Sequence, residues 1–167
     1  LYNVGAKKFL SIGALWGTQA ALDVSPHSIY MYWNGGSKTY FMKSKVAGSS
    51  AGSYMGIAWE KFTQKNGVFM DRGSSDGKNC RVTFEKGVDY TEKNKVYLVN
   101  ISSQGYLTAY PDNENKICNY ASKATEGTPE YYNQEWKIIT KNEYYQLFGI
   151  TPANMKSVVD ASFLITC

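Results

Sequence analysis

Leu1-Tyr2-Asn3-Val4 followed by Phe9-Leu10-Ser11, and Leu98-Val99-Asn100-Ile101 followed by Tyr106-Leu107-Thr108, are the stretches that decide the fold. They superpose at one constant offset of 97 residues, with no gap. Leu falls on Leu, Asn on Asn, Val on Ile, Phe on Tyr, Leu on Leu and Ser on Thr. Six matches at one offset, with the same apolar pattern, exceed what chance supplies and mark an internal repeat.

Working outward, each copy continues in the same way. The first runs through extended stretches at Thr18 to Val24 and Ser28 to Trp33, the third through Lys116 to Ser122 and Glu135 to Thr140. Between them lie four more strand-like runs, near Thr39 to Val46, Tyr54 to Ala58, Gly67 to Asp71 and Arg81 to Lys86. All are short, rich in β-branched and aromatic residues, and bounded by turn formers. Asn34-Gly35-Gly36 reads as a hairpin turn because Asn and Gly tolerate positive φ. Asn66-Gly67, Asp76-Gly77 and Pro111-Asp112-Asn113 mark further turns. Aligning Phe69-Met70 with Phe9-Leu10 instead leaves too few strands to complete a unit.

Three four-strand units make one large sheet, whose edges would be a liability unless it closes on itself. Threefold closure is the β-trefoil: a six-strand barrel capped by three hairpins. The expected fold is therefore all-β, a trefoil over 1–140 with repeats of about 1–38, 39–94 and 95–140. Leu1, Phe9, Leu10, Leu98, Tyr106 and Leu107 would share its core. The competing reading is an irregular β-sandwich with accidental similarity.

After Thr140 the pattern changes. Thr140-Lys141-Asn142-Glu143 has capping-box spacing, and Tyr144, Leu147 and Phe148 fall on one helical face. Gly149 is a stop signal, Thr151-Pro152 starts a second short helix, and Val158 to Ile165 returns to an extended apolar run. Residues 141–167 read as a helical tail or linker toward a following domain. A Leu start and a Cys167 end suggest a piece of a longer protein.

Composition removes several classes. Aromatic residues are 15% and charged residues only 19% of the 167, which excludes disorder and a coiled coil. No apolar run approaches the ~20 residues of a membrane-spanning helix, so no membrane insertion is expected. Net charge is +4, but only Arg72 and Arg81 are arginine and the lysines form no cluster, so no nucleic-acid partner is expected. Cys80, Cys118 and Cys167 have no CxxC spacing, and no metal or cofactor is expected.

Leu1-Tyr2-Asn3-Val4-Gly5-Ala6-Lys7-Lys8-Phe9-Leu10 with Trp16-Gly17-Thr18-Gln19-Ala20 resembles a repeat of ricin-type β-trefoil lectin-like modules of secreted Bacteroidetes proteins. Val82-Thr83-Phe84-Glu85-Lys86 resembles their unit-closing strand. Trp136-Lys137-Ile138-Ile139-Thr140, and later Asp160-Ala161-Ser162-Phe163-Leu164-Ile165, resembles the exit from such a trefoil. The resemblance implies a carbohydrate-binding or surface-interaction module of an exported multidomain protein, hence a secreted, periplasmic or cell-surface location. The family hallmark, Gln-x-Trp, occurs once, as Gln134-Glu135-Trp136; Ser28-Ile29-Tyr30 and Cys80-Arg81-Val82 stand where the other copies would be. The motif's Trp is expected to be a core residue.

A sugar site needs a rigid aromatic face to stack on and amide or carboxylate groups for hydroxyls. In the third unit Tyr110, Asp112, Asn113 and Asn119 surround one hairpin, with Asn115 beside them. In the first, Trp16, Gln19 and Asp23 occupy the matching region. In the second, Trp59, Asp71 and Asp76 are looser candidates. Plainer roles stand beside these: Asp112 and Asn113 as turn formers, Trp16 as a barrel cap. Catalysis finds little support, since His27 is the single histidine and must serve any Ser-His or Cys-His pair. Gly48-Ser49-Ser50-Ala51-Gly52-Ser53 lacks the Gly-Lys ending of a phosphate-binding loop. The expected function is non-catalytic binding of a glycan or polysaccharide. The alternative is a structural or protein-interaction trefoil with a protein partner.

Overall fold

The structure is a computed structural model that describes residues 1–13, 15–44 and 53–147, without the side chains of Leu15, Ser74, Ser75 and Asp76. Gly149, the Thr151-Pro152 start, the Val158 to Ile165 run, Cys167 and most of the Gly48 to Ser53 loop lie outside the described residues. Twelve strands form one antiparallel sheet among those residues: β1 Tyr2–Asn3, β2 Lys8–Ile12, β3 Ala20–Asp23, β4 Ile29–Asn34, β5 Thr39–Ser44 and β6 Tyr54–Glu60. The rest are β7 Lys65–Arg72, β8 Val82–Lys86, β9 Val96–Ile101, β10 Gly105–Ala109, β11 Cys118–Ala121 and β12 Glu135–Lys137.

The sheet curls into a nearly closed barrel. Ladders join β1 to β12, β12 to β9, β9 to β8, β8 to β5 and β5 to β4. Each of β1, β5 and β9 also pairs with the next strand, which turns back as the hairpins β2–β3, β6–β7 and β10–β11. These hairpins converge: Gln19 bridges Phe69, Ala21 bridges Ile117, Leu22 N–H donates to the Lys116 carbonyl at 2.8 Å and Met70 N–H to that of Thr18 at 2.8 Å. Among the described residues no ladder joins β4 to β1.

Alternation along the strands drives one continuous core, including Leu10, Met42, Val68, Val82, Ile101, Leu107 and Trp136. Burial of such side chains is worth about 1.5–3 kcal/mol each. Two expected core residues sit elsewhere. Phe9 packs in a second cluster with Ile139 and Tyr144, bridging the barrel to the tail. Tyr106 is half-buried, because its hydroxyl must find a partner and donates to Glu85 Oε2 at 2.9 Å.

Turn chemistry departs from the sequence reading in two places. At the β4–β5 hairpin the left-handed residue is Lys38 (φ 52°), not a glycine. Asn34 Oδ1 accepts from Gly36 N–H at 3.0 Å and Ser37 N–H at 3.2 Å, so its side chain shapes the turn. Asn66-Gly67 lies within β7, and Gln64 (φ 51°) makes the turn before it. Gly67 is required by packing instead, since a Cβ there would stand 2.9 Å from the Phe69 ring. Cys80 ends a 3-10 turn over Ser74–Cys80, just before β8.

Two helices follow. Helix α1, Pro129–Tyr132, was not expected from periodicity; Thr128 caps it by accepting from Tyr131 N–H at 3.2 Å, with Pro at its first position. Helix α2, Lys141–Leu147, carries the expected reciprocal cap: Thr140 N–H donates to Glu143 Oε2 at 3.0 Å and Glu143 N–H to Thr140 Oγ1 at 3.2 Å.

Candidate functional site: an aromatic groove at the hairpin end

The connection from β2 to β3 makes a 3-10 turn at Leu15–Gly17 and carries Trp16 in a left-handed conformation, φ 62°. The ring is 55% exposed. It is not loose, however. Its Nε1–H donates to Glu60 Oε1 at 3.2 Å, and its face stacks on Phe62 with centroids 5.0 Å apart and planes at 21°. Lys61 Nζ lies 5.8 Å from the Trp16 ring and 5.2 Å from Phe62.

Glu60 organises this end of the molecule. It is the last residue of β6, buried, and it accepts from Phe62 N–H at 2.9 Å and Thr63 N–H at 2.5 Å as well as from the indole. Burial alone would raise its carboxyl. The backbone donors at Phe62 and Thr63, then the Trp16 donor, outweigh that and bring its pKa down to about 2.

Between Trp16 and β7 lies a groove of about 420 Å³ lined by Trp16, Trp59, Lys61, Phe69, Asp71 and Arg72 among others. Trp59 is 64% exposed and Phe62 69%. Asp71 is pre-oriented, accepting from Thr18 Oγ1 at 2.9 Å and from Arg72 Nε and Nη2 at 2.9 and 2.6 Å. Exposed ring faces next to an oriented carboxylate and a guanidinium can stack on an apolar ligand face and hydrogen-bond its hydroxyls.

The groove unites residues far apart in the chain: Trp16 lies between β2 and β3, Trp59 on β6 and Asp71 on β7. Gln19 is only 8% exposed and bridges Phe69; it does not line the groove and offers little surface. Asp23, at the end of β3, is exposed and accepts from Ser25 N–H at 3.1 Å, shaping its own turn outside this groove. The side chain of Asp76 lies outside the described residues.

A second groove, about 510 Å³, gathers Tyr110, Asp112 and Asn113 with Glu130, Asn133 and Gln134. Tyr110 is 38% exposed, and its partial burial pushes the phenol pKa up. Asn113 Oδ1 accepts from Asn115 N–H at 2.9 Å and its backbone closes the turn onto Tyr110 O at 3.1 Å, so it is a turn former as well. Asn119 does not line this groove; its Oδ1 accepts from Tyr120 N–H at 2.8 Å. Gln134 of the Gln-x-Trp motif spends its amide on the fold, and Trp136 is fully buried with Nε1–H donating to Leu107 O at 2.8 Å.

Sequence reasoning missed Glu60, Lys61 and Arg72 in the first groove, Phe62 behind Trp16, and Glu130 and Asn133 in the second. The run Trp59-Glu60-Lys61-Phe62 was a visible signal, but its partner Trp16 is 44 residues away from Glu60. His27 Nε2 is buried without a hydrogen-bond partner, and burial lowers its pKa. Cys80 and Cys118 are buried, and burial pushes the thiol of Cys118 far up. Among the described residues no three His, Cys, Asp or Glu side chains group as a metal site. No family model, curated protein or solved structure matches the chain.

Proposed function

We propose that this chain is a non-catalytic glycan-binding module of β-trefoil architecture, carried by an exported protein at the cell surface, in the periplasm or secreted. The trefoil part rests on the strand plan. A ring ordered β1, β12, β9, β8, β5, β4 has ladders at every junction but the last, and the hairpins β2–β3, β6–β7 and β10–β11 meet at one end. That is the plan expected of three repeats over about 1–38, 39–94 and 95–140.

The binding part rests on one observation: exposed Trp16 and Trp59 line one groove with the oriented Asp71 carboxylate, and Phe62 backs Trp16. An open groove of this kind gives weak affinity, about millimolar to micromolar, or roughly −4 to −8 kcal/mol. Calorimetric titration against a panel of soluble polysaccharides is the test. Binding that weakens about tenfold in Trp16→Ala and again in Trp59→Ala, with the melting temperature kept, supports the reading. No binding to any member at millimolar sugar overturns it.

A protein-interaction module is the second reading, favoured by β4. Tyr30, Met31, Tyr32 and Trp33 are all exposed there, and among the described residues the strand pairs with β5 alone. An open edge of this composition suits addition of a partner's strand. A single protein captured by the wild type and lost in Trp33→Ala, with glycans unbound, would favour it.

A further inference from the structure

A third groove, away from both aromatic ones, has a different chemistry. It encloses about 450 Å³ and is lined only by Ser, Thr, Asn, Gln, Lys and Arg side chains. No aromatic ring and no carboxylate lines it. Its two cations are Lys78 and Arg81, both exposed. Among the described residues neither lies within ion-pair distance of a carboxylate.

The backbone sets these groups in place. Arg81 immediately precedes β8, and the ladder pairs Val82 with Ile101 and Thr83 with Asn100. Ser102 and Ser103, at φ 57° and 56°, form the left-handed turn that follows β9. Ser102 N–H donates to Arg81 O at 2.6 Å, its Oγ to Lys78 O at 2.8 Å, and Gln104 Nε2 to Ser102 Oγ at 3.4 Å. Both cations therefore enter the fold through their carbonyls, and among the described residues no carboxylate pairs with their charged ends. The acid nearest along this strand face, Glu85, is already engaged by Lys123 Nζ at 2.5 Å and the Tyr106 hydroxyl at 2.9 Å. Nothing among the lining residues neutralises the groove.

We propose that this groove binds the sulfate or carboxylate group of an acidic saccharide, with Arg81 and Lys78 on the oxyanion and Asn100, Ser102, Ser103 and Gln104 on the neighbouring hydroxyls. A planar guanidinium recognises an oxyanion through paired N–H bonds, and small hydroxyl and amide side chains suit a polyol better than an apolar ligand. The site stands apart from the Trp16 groove. It deepens the glycan reading by naming a charged class of saccharide, but neither site depends on the other.

The probe is a short dextran sulfate oligosaccharide, compared with unsulfated dextran, inorganic sulfate and a single-stranded oligonucleotide of similar charge. Amide shifts in two-dimensional NMR give the site, and their titration gives the affinity. The expected result is that dextran sulfate moves the amides of Ser102, Ser103 and Gln104 while dextran does not. Lys78→Gln and Arg81→Gln should each weaken binding about tenfold, the usual worth of a charge-assisted bond. Their melting temperatures should stay unchanged, and Trp16→Ala should bind dextran sulfate as wild type does.

Undiminished binding in the Lys78→Gln/Arg81→Gln double variant would overturn the proposal, as would equal binding of dextran. Inorganic sulfate bound as tightly as the oligosaccharide, or the oligonucleotide bound more tightly at the same amides, would overturn the saccharide assignment. Loss of this site with neutral glycan still bound at Trp16 would leave the proposed function standing.

Discussion

Replacing Gln134 by Ala separates a structural role for the Gln-x-Trp motif from a ligand role. Gln134 is 1% exposed. Its Nε2 donates to Thr108 Oγ1 at 3.1 Å and to Ser122 O at 2.8 Å, while its Oε1 accepts from Ala124 N–H at 2.8 Å. Both amide hydrogens are spent, so the side chain has no donor left for a sugar. It ties β10, the segment after β11 and the approach to α1 together. Alanine removes all three bonds. At about 1 kcal/mol net for each, the loss is about 3 kcal/mol, with about 2–4 as the range for partly orphaned partners. In a domain of this size that lowers the melting temperature by roughly 6–12 °C. Urea denaturation should show a lower midpoint with an unchanged slope, since the exposed surface on unfolding is the same. Glycan affinity at the Trp16 groove should not move. A stability loss below about 0.5 kcal/mol, or a loss of glycan affinity with stability intact, would refute the reasoning.

Thr140→Ala removes one half of the α2 capping box and should cost about 1 kcal/mol of local helix stability, seen as faster amide exchange at Glu143 and Tyr144. Glu60 predicts an acid limb. Its folded-state pKa, about 2, lies below the ordinary Glu value of ~4.3, so its stabilisation is complete above that value and fades as pH falls through about 2. Tryptophan fluorescence and thermal melts from pH 7 to 2 should show this loss in the wild type and a flatter profile in Glu60→Gln; identical profiles would count against the bonds at Glu60. Gly56→Ala would place a Cβ 2.7 Å from Cys80 Sγ and 2.9 Å from the Asn79 carbonyl. Overpacking of that kind should destabilise by about 1–3 kcal/mol in the same urea assay.

The strands were legible because their signal is local. Short apolar stretches such as Phe9-Leu10-Ser11 or Leu107-Thr108-Ala109, bounded by turn formers, need only neighbours to read. What escaped was information held in the third dimension. The left-handed turn positions fall on Lys7, Lys38, Gln64, Ser102 and Ser103, residue types with no strong preference for that conformation, so turn sites read from Asn-Gly shifted by a few residues. Helix α1 is too short for a period, although Thr128-Pro129 carries the same cap-and-proline signal read at Thr151-Pro152. Phe9 and Tyr106 match in sequence yet differ in burial, because one added hydroxyl sends Tyr106 to Glu85 and an added helix covers Phe9.

The candidate site divides along the same line. Tyr110, Asp112 and Asn113 are close in sequence and meet in one groove. Trp16 and Glu60, 44 residues apart, meet where Gln19, just before β3, bridges Phe69 of β7. Yet Trp16 itself carries a physical argument that no spacing could supply. A bulky residue at positive φ costs roughly 1–2 kcal/mol, and glycine would take that position without strain. Core packing does not repay the cost, since Trp16 is more than half exposed. The indole–Glu60 bond and the Phe62 stack fix the ring's orientation and hold one face against a neighbour. Strain retained at an exposed, oriented aromatic ring supports the proposed binding contact. On that ground Trp16→Gly should raise or preserve stability while abolishing the groove's stacking surface, and a variant that lost stability by several kcal/mol would return Trp16 to the role of a barrel cap.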